Sequence, residues 1–139
     1  MVAVVSASDG GSSLSTKVLA FAALVEMGTG VALLLIPALV VGLLLGADLA
    51  GVGIVVARCF GIALIALAWA CWPGEARSVR DGAAAARAML IYNALIALYL
   101  GYLGVVAHMA GLLLSPAAAL HAVVAVVLIG ARRRGEGLA

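Results

Sequence analysis

Long apolar stretches, separated by short polar or helix-breaking segments, make up most of this chain. About 20 residues at 1.5 Å each are needed to cross roughly 30 Å of hydrocarbon as a helix. Three stretches meet this requirement, at about 17–45, 51–72 and 82–110, and we place a fourth, shorter one at about 116–131. Residues 1–16 are predicted to be a mobile tail and residues 132–139 a basic cytoplasmic tail. The pattern therefore predicts one domain, an all-α integral membrane bundle of four antiparallel transmembrane helices.

Proline and glycine mark where these stretches are interrupted. Pro37 removes a backbone donor inside the first stretch and is expected to kink or end that helix. Residues 38–45 then either continue a tilted helix or lie at the membrane interface, and the sequence leaves both possibilities open. Ser115-Pro116 is a helix cap followed by proline, which is typical of a helix start.

Small residues recur at four-residue spacing along the second stretch, at Gly53, Ala57 and Gly61. Such a stripe allows the backbones of two membrane helices to approach closely. We therefore expect this side of the second helix to pack against another helix.

The composition agrees with a membrane protein and excludes several other classes. The chain is 67% hydrophobic and 10% charged, whereas soluble domains have about 25% charged residues. A net charge of +2 is too small to indicate a nucleic-acid partner. Cys59 and Cys71 would lie about 18 Å apart on one helix, beyond the reach of a disulfide. Both are therefore predicted to be buried thiols.

Basic residues fall on one side of a four-pass topology. Seven of the eight Lys and Arg residues belong to this set: Lys17, Arg77, Arg80, Arg87 and Arg132 to Arg134. The loops on the other side contain Asp48 and Ser115 but no Lys or Arg. The positive-inside rule then predicts that both termini lie in the cytoplasm.

Glu26 is the charged residue in the middle of the first stretch. An ionisable side chain at this depth is costly and marks a candidate functional site. The helical rise places Glu26 about 13 Å inward from Lys17, with Arg58 and Asn93 at similar depths. We expect Glu26 and Arg58 to form an ion pair, with Asn93 and Tyr92 nearby. The pair is either a structural link between two helices or a ligand-binding or proton-coupled carboxylate with a guanidinium partner.

The sequence does not decide whether Glu26 is ionised. If Arg58 contacts Glu26, the carboxylate is a structural anion, and this is the arrangement that we expect. If Arg58 instead points outward towards Asp48, Glu26 is left with Asn93 and Tyr92. A lone buried carboxyl group holds a proton, which it could release when a cation enters.

His108 and His121 are polar candidates on the outer side. They are expected to flank the loop between the third and fourth helices at a similar height. Two ligands do not make a zinc site, and a tight turn places the two rings poorly for haem. We expect interfacial hydrogen bonding and no metal, haem or other cofactor. Because no catalytic triad, CxxC motif, phosphate-binding loop or carboxylate pair occurs, no catalytic residue is assigned and an enzyme is not expected.

Two resemblances to known families can be identified. The pattern Gly28-x-Gly30-x-x-Leu33-Leu34-x-x-Pro37, then Gly46, then Ala57-Arg58-x-x-Gly61, resembles small four-helix bacterial membrane proteins of the DoxX-like group. This resemblance covers roughly the first half of the chain and implies the architecture and a bacterial inner membrane, but no activity. Residues 22–29 (AALVEMGT) look like the first helix of small multidrug resistance transporters, in which a membrane glutamate exchanges protons for cationic drugs. Arg58 and the last two helices depart from that second pattern.

Two functions are compatible with these features. The leading hypothesis is a non-enzymatic membrane protein that works by association with other membrane helices, as an accessory or structural subunit or a homo-oligomer. It rests on the small-residue stripes and the lack of catalytic residues. The alternative is a small transporter or small-molecule-binding membrane protein that uses Glu26 in the middle of the membrane.

Overall fold

The computed structural model describes residues 8–74 and 79–136, which form a helical bundle. Its helices are α1 (Ser8–Leu35), α2 (Pro37–Leu45), α3 (Val52–Cys71), α4 (Val79–Val105) and α5 (Leu114–Glu136). Within these described residues, α1, α3, α4 and α5 are long and apolar enough to cross a membrane. The prediction of an all-α membrane bundle with four antiparallel transmembrane helices is therefore confirmed. The short helix α2 is an addition between the first two spans.

The first apolar stretch is broken where the sequence predicts, at Pro37. Proline has no amide hydrogen, so it cannot donate to the carbonyl of Leu33 as the next helical turn would require. Ile36 takes a non-helical backbone conformation, with φ −133° and ψ 53°. Pro37 then starts α2, and Gly46, with φ 68°, caps its end. Residues 38–45 thus belong to a separate helix and do not continue α1.

Two helices extend beyond their predicted ends. α1 begins at Ser8, inside the predicted tail 1–16, and α5 continues to Glu136, inside the predicted tail 132–139. Hydropathy identifies the part of a helix that is in the membrane. Once nucleated, α5 continues through its arginines, which have good helix propensity. The start of α1 is rich in serine and glycine, so helix propensity does not explain its extension. The remainder of both tails lies outside the described residues.

The third span ends earlier than predicted. α4 stops at Val105, whereas the sequence suggests a helix over 82–110. The amide of Met109 donates to the carbonyl of Leu103, at 3.0 Å. His108 has a left-handed backbone, with φ 54°. This backward hydrogen bond around a left-handed residue closes the end of the helix, and it places His108 in the connection after α4.

The bundle consists of two closely packed helix pairs. α1 packs mainly on α3, and α4 mainly on α5, while contacts between the pairs are fewer and involve chiefly α1 with α5. The core is apolar and contains the buried residues Leu19, Ala22, Ala23, Ala68, Cys71, Ala85, Met89, Val124 and Leu128. Among the described residues, Glu26 and Asn93 are the polar side chains buried with them.

A pair of glycines lies where α1 and α3 cross. A Cβ atom added to Gly30 would lie 2.7 Å from the carbonyl oxygen of Gly61, and one added to Gly61 would lie 2.6 Å from that of Gly30. Both distances are shorter than side chains tolerate, so the crossing needs glycine on both helices. The predicted small-residue contact is confirmed at Gly61. Gly53 faces the side chain of Leu49, just before α3, instead of another helix.

The helix α2 lies at one end of the bundle, against the connection between α4 and α5. The amide of Leu113 donates to the carbonyl of Leu43 at 2.9 Å. Gly111 lies so close to the backbone of α2 that a Cβ atom there would overlap it. We name this end, with residues 46–51 and 106–113, the loop end. The short helix thereby joins the two helix pairs at the loop end.

Gly61→Ala is expected to lower the free energy of unfolding by about 1–3 kcal/mol, because the added methyl group pushes α1 away from α3. Gly30→Ala should act in the same direction. The measurement is reversible unfolding in mixed micelles with increasing SDS. Gly28→Ala is the matched control, because Gly28 is on α1 and a Cβ added there has nothing within 4 Å. Equal losses for the Gly28 and Gly61 variants would contradict the close crossing.

Candidate functional site

Glu26 is buried where the two helix pairs meet, with a residue exposure of 1%. From α1 it reaches α4, where the hydroxyl of Tyr92 donates a hydrogen bond to its Oε2 atom at 3.0 Å. Its other oxygen, Oε1, has no hydrogen-bond partner among the described residues. The Nδ1 atom of His121 on α5 lies 3.7 Å from Oε1, which is too long for a hydrogen bond. Glu26 therefore has one satisfied and one unsatisfied oxygen.

Asn93 and His121 form the other half of the site. The Nδ2 atom of Asn93 donates to the carbonyl of Met89, one turn earlier on α4, at 2.8 Å. The Oδ1 atom of Asn93 lies 2.8 Å from Nδ1 of His121. Because Oδ1 can only accept, Nδ1 must carry a hydrogen and donate it. In the neutral ring, Nε2 is then the remaining acceptor of His121.

The four side chains contact one another and come from three helices. Tyr92 meets His121 edge to face, with ring centroids 5.8 Å apart and an interplanar angle of 78°. We name Glu26, Tyr92, Asn93 and His121 the carboxyl cluster. Glu26 belongs to the pair α1 and α3, whereas the other three residues belong to the pair α4 and α5. The cluster therefore bridges the interface between the two pairs.

A narrow cleft between α1 and α5 borders the carboxyl cluster. Besides Glu26, Asn93 and His121, its lining is apolar and consists of Phe21, Ala22, Val25, Leu120 and Val124. Phe21 is half exposed, at 50%. In this packing the cleft is too narrow to hold a water molecule. A proton is thus the one cation that Oε1 can take without movement of the helices.

Arg58 does not reach Glu26, so the predicted ion pair is wrong. Arg58 is exposed on α3, and among the described residues no acidic side chain lies within ion-pair distance of it. The helical rise gives its depth but not its direction. The inward-facing residues of α3 include Gly61, Leu64 and Ala68. Arg58 lies roughly a quarter turn around the helix from their mean direction.

The two histidines are not neighbours, which corrects a second prediction. His108 is exposed in the connection after α4. His121 lies about 10 Å along α5 from Leu114, inside the bundle and bonded to Asn93. The sequence does contain a signal for this position, since His121 is the one polar side chain between Ser115 and Arg132. It is therefore the natural partner on α5 for a polar residue of α4.

Other candidate residues have simpler surroundings. Cys59 is exposed, contrary to the prediction that it is buried. Cys71 is buried, and its thiol donates to the carbonyl of Ala85 at 3.5 Å. Tyr99 and Tyr102 are exposed and stack on each other. No cluster of three or more His, Cys, Asp or Glu side chains that could hold a metal occurs in the part of the chain that the structure describes.

No protein-family model, curated protein or solved structure matches this chain significantly. The resemblance to the DoxX-like group therefore stays a prediction.

Replacing Tyr92 and Glu26 together should lower the free energy of unfolding by less than the sum of the two single replacements. Each single replacement already removes their shared hydrogen bond, so the double variant loses it only once. For Tyr92→Phe and Glu26→Met we expect a coupling of about 0.6 kcal/mol and at most about 1.7 kcal/mol, the mean and the maximum found for hydrogen bonds between membrane helices. The measurement is a double-mutant cycle by SDS unfolding. Tyr99→Phe, an exposed tyrosine of the same helix, is the control and should show no coupling to Glu26. Additive losses for Tyr92 and Glu26 would show that the hydrogen bond contributes nothing.

Proposed function

We propose that this protein is a non-enzymatic polytopic membrane protein that binds a proton and a small cationic ligand alternately at Glu26. One observation carries the proposal. The carboxyl group is buried, its Oε1 atom has no hydrogen-bond partner, and among the described residues the basic side chain within ion-pair distance is His121, at 3.7 Å, with no Lys or Arg there. An ionised carboxylate held in an apolar interior without a cation has a high free energy. Oε1 therefore requires either a proton or another cation.

The surroundings of Glu26 favour a cation with N–H donors as the second occupant. Oε1 of Glu26 and Nε2 of His121 are acceptors that the carboxyl cluster leaves unused. The rest of the cleft is apolar, as in most small-molecule sites, where a few polar groups fix the orientation of the ligand. The ring of Phe21 adds an aromatic surface that attracts cations. Release of the proton as the cation binds keeps the total charge of the site constant.

Access to Oε1 requires movement, and the architecture favours one kind of movement. The cleft lies between α1 and α5, where the two helix pairs meet and pack less extensively than the helices within each pair. A shift of one pair against the other would widen the cleft without separating α1 from α3 or α4 from α5. Transport would need such a shift to expose Glu26 to each side in turn, so we propose binding first and transport as its extension.

We also propose a location in the bacterial inner membrane with both termini in the cytoplasm. Exposed basic residues near the ends of the spans support this orientation: Lys17, Arg80, Arg132 and Arg133. They lie on helix ends opposite the loop end, where the exposed charged residue is Asp48. The positive-inside rule places the basic end in the cytoplasm.

Association with another membrane protein or with itself, the leading hypothesis from the sequence, is the second candidate function. The exposure of Arg58 favours it, because a cation in a membrane span calls for a partner. This role does not compete with a ligand site at Glu26, since Arg58 and Glu26 lie on different helices and do not contact each other.

Proton release on cation binding tests the proposed function. Purified protein in weakly buffered detergent is titrated with dodecylammonium or dodecylguanidinium, both of which have N–H donors, and released protons are followed with a pH indicator dye. We expect saturable binding with proton release in the wild type, and an affinity that rises with pH because protons compete for Oε1. Glu26→Gln should release no protons and bind more weakly.

Asp48→Asn serves as the control in this titration, because Asp48 is an exposed carboxyl group outside the carboxyl cluster. It should behave as the wild type does. Binding without proton release, proton release by the Glu26→Gln variant, or no saturable binding of either cation would contradict the proposal.

A further inference from the structure

At the edge of its exposed face, about a quarter turn from the residues that pack inward, α3 carries an unusual charge for a membrane span. Arg58 is exposed about 9 Å along α3 from Val52, within the apolar window Val52–Cys71. None of the described acidic side chains pairs with it. Charged side chains in membrane spans almost always face protein or pair with an opposite charge. The exposure of Arg58 therefore indicates that something covers this face of α3 in the membrane.

The direction of the Arg58 side chain indicates where its partner lies. Side chains on a helix lean towards the helix N-terminus, and the N-terminus of α3 is at the loop end. An arginine stem is long enough to carry its guanidinium group towards the membrane surface. Asp48 lies at this end, in the connection that precedes α3, and it is exposed. Within the described part of one copy, Asp48 and Arg58 form no ion pair.

We infer that the exposed face of α3 is a homodimer interface in which Arg58 of each copy pairs with Asp48 of the other. A twofold interface uses the same surface on both subunits, so that surface must be complementary to itself. A surface with one guanidinium and one carboxylate near the same end satisfies this condition, because the twofold axis forms two identical Arg58–Asp48 pairs. Arginine also suits the role, since its planar group binds a carboxylate through two hydrogen bonds.

The shape of the face agrees with the charge argument. Along its centre, the exposed side chains of α3 are small: Cys59, Ala63, Ala66 and Ala70. On either side of this central line, α3 exposes larger side chains, such as Val55, Phe60 and Ile62. Small residues permit a second helix to approach closely, and the alternating four- and three-residue spacing is that of a left-handed helix pair. A second α3 thus fits this face.

Crosslinking through the native cysteines tests the interface without adding a probe. Protein reconstituted at a low protein-to-lipid ratio is treated with a short bismaleimide and run on a denaturing gel. We expect a dimer band that Cys59→Ala abolishes and Cys71→Ala leaves, because Cys59 is exposed at the centre of the face and Cys71 is buried. Glu26→Gln should crosslink as the wild type does, so this result is independent of the proposed function.

Charge reversal tests the pairing itself. Arg58→Asp and Asp48→Arg should each reduce crosslinking roughly tenfold, because like charges then face each other across the interface. The double variant with both changes should recover most of the wild-type crosslinking. Circular dichroism of each variant shows whether the helices are retained. If the single variants lose crosslinking and the folded double variant does not recover it, the Arg58–Asp48 pairing is overturned.

Photobleaching of single labelled molecules in liposomes tests the dimer without any substitution at the interface. Each bleaching step counts one labelled copy, so we expect two steps in most fluorescent spots. The fraction of spots with two steps should stay the same as lipid is added. Single steps throughout, or crosslinking that falls in proportion to added lipid, would overturn the homodimer. If the monomeric protein then binds phosphatidylglycerol vesicles more tightly than its Arg58→Gln variant does, a lipid phosphate is the occupant of this face.

Discussion

A carboxyl group buried in an apolar bundle has to be neutralised by a proton or a cation. In this protein the carboxyl group is that of Glu26, and it lies at the joint, the interface between the two helix pairs. Glu26 belongs to the pair α1 and α3, whereas Tyr92, Asn93 and His121 belong to the pair α4 and α5. The other contacts across the joint are mostly apolar and can slide, but hydrogen bonds have fixed geometry. The hydrogen bond from Tyr92 to Glu26 therefore fixes the position of one pair on the other at this point. Whatever occupies Oε1 acts directly on that joint.

Much of this architecture follows from the sequence because it depends on position along a helix. Hydropathy and helical rise predict the four spans and the depth of Glu26, and Pro37 ends α1 because proline lacks an amide hydrogen. The stripe that contains Gly61 predicts a close helix contact, which the structure provides through Gly30. The proximity of Tyr92 and Asn93 to Glu26 follows from their similar depth.

Direction around a helix is harder to obtain, because a membrane helix is apolar on every side. In a soluble bundle the polar side of a helix is the side that faces the solvent. The helix α3 has no such contrast, and the prediction that Arg58 points inward rests on its depth alone. The prediction that His121 lies near the outer surface is wrong for a related reason. The sequence predicts that the third helix continues to residue 110, whereas α4 ends at Val105 and the connection folds back under α2. These are tertiary constraints, and no local pattern contains them.

The protonation state of Glu26 tests this account most directly. Infrared spectra of the protein in lipid bilayers near neutral pH, with no added cation, reveal a protonated carboxyl group by its C=O stretch. We predict such a band in the wild type, its loss in Glu26→Gln, a shift in Tyr92→Phe because the hydroxyl donor is removed, and no change in Arg58→Gln. A wild-type spectrum without the band, or a band that appears only when Arg58 is replaced, would show that Glu26 is an anion paired with a cation and would contradict the account.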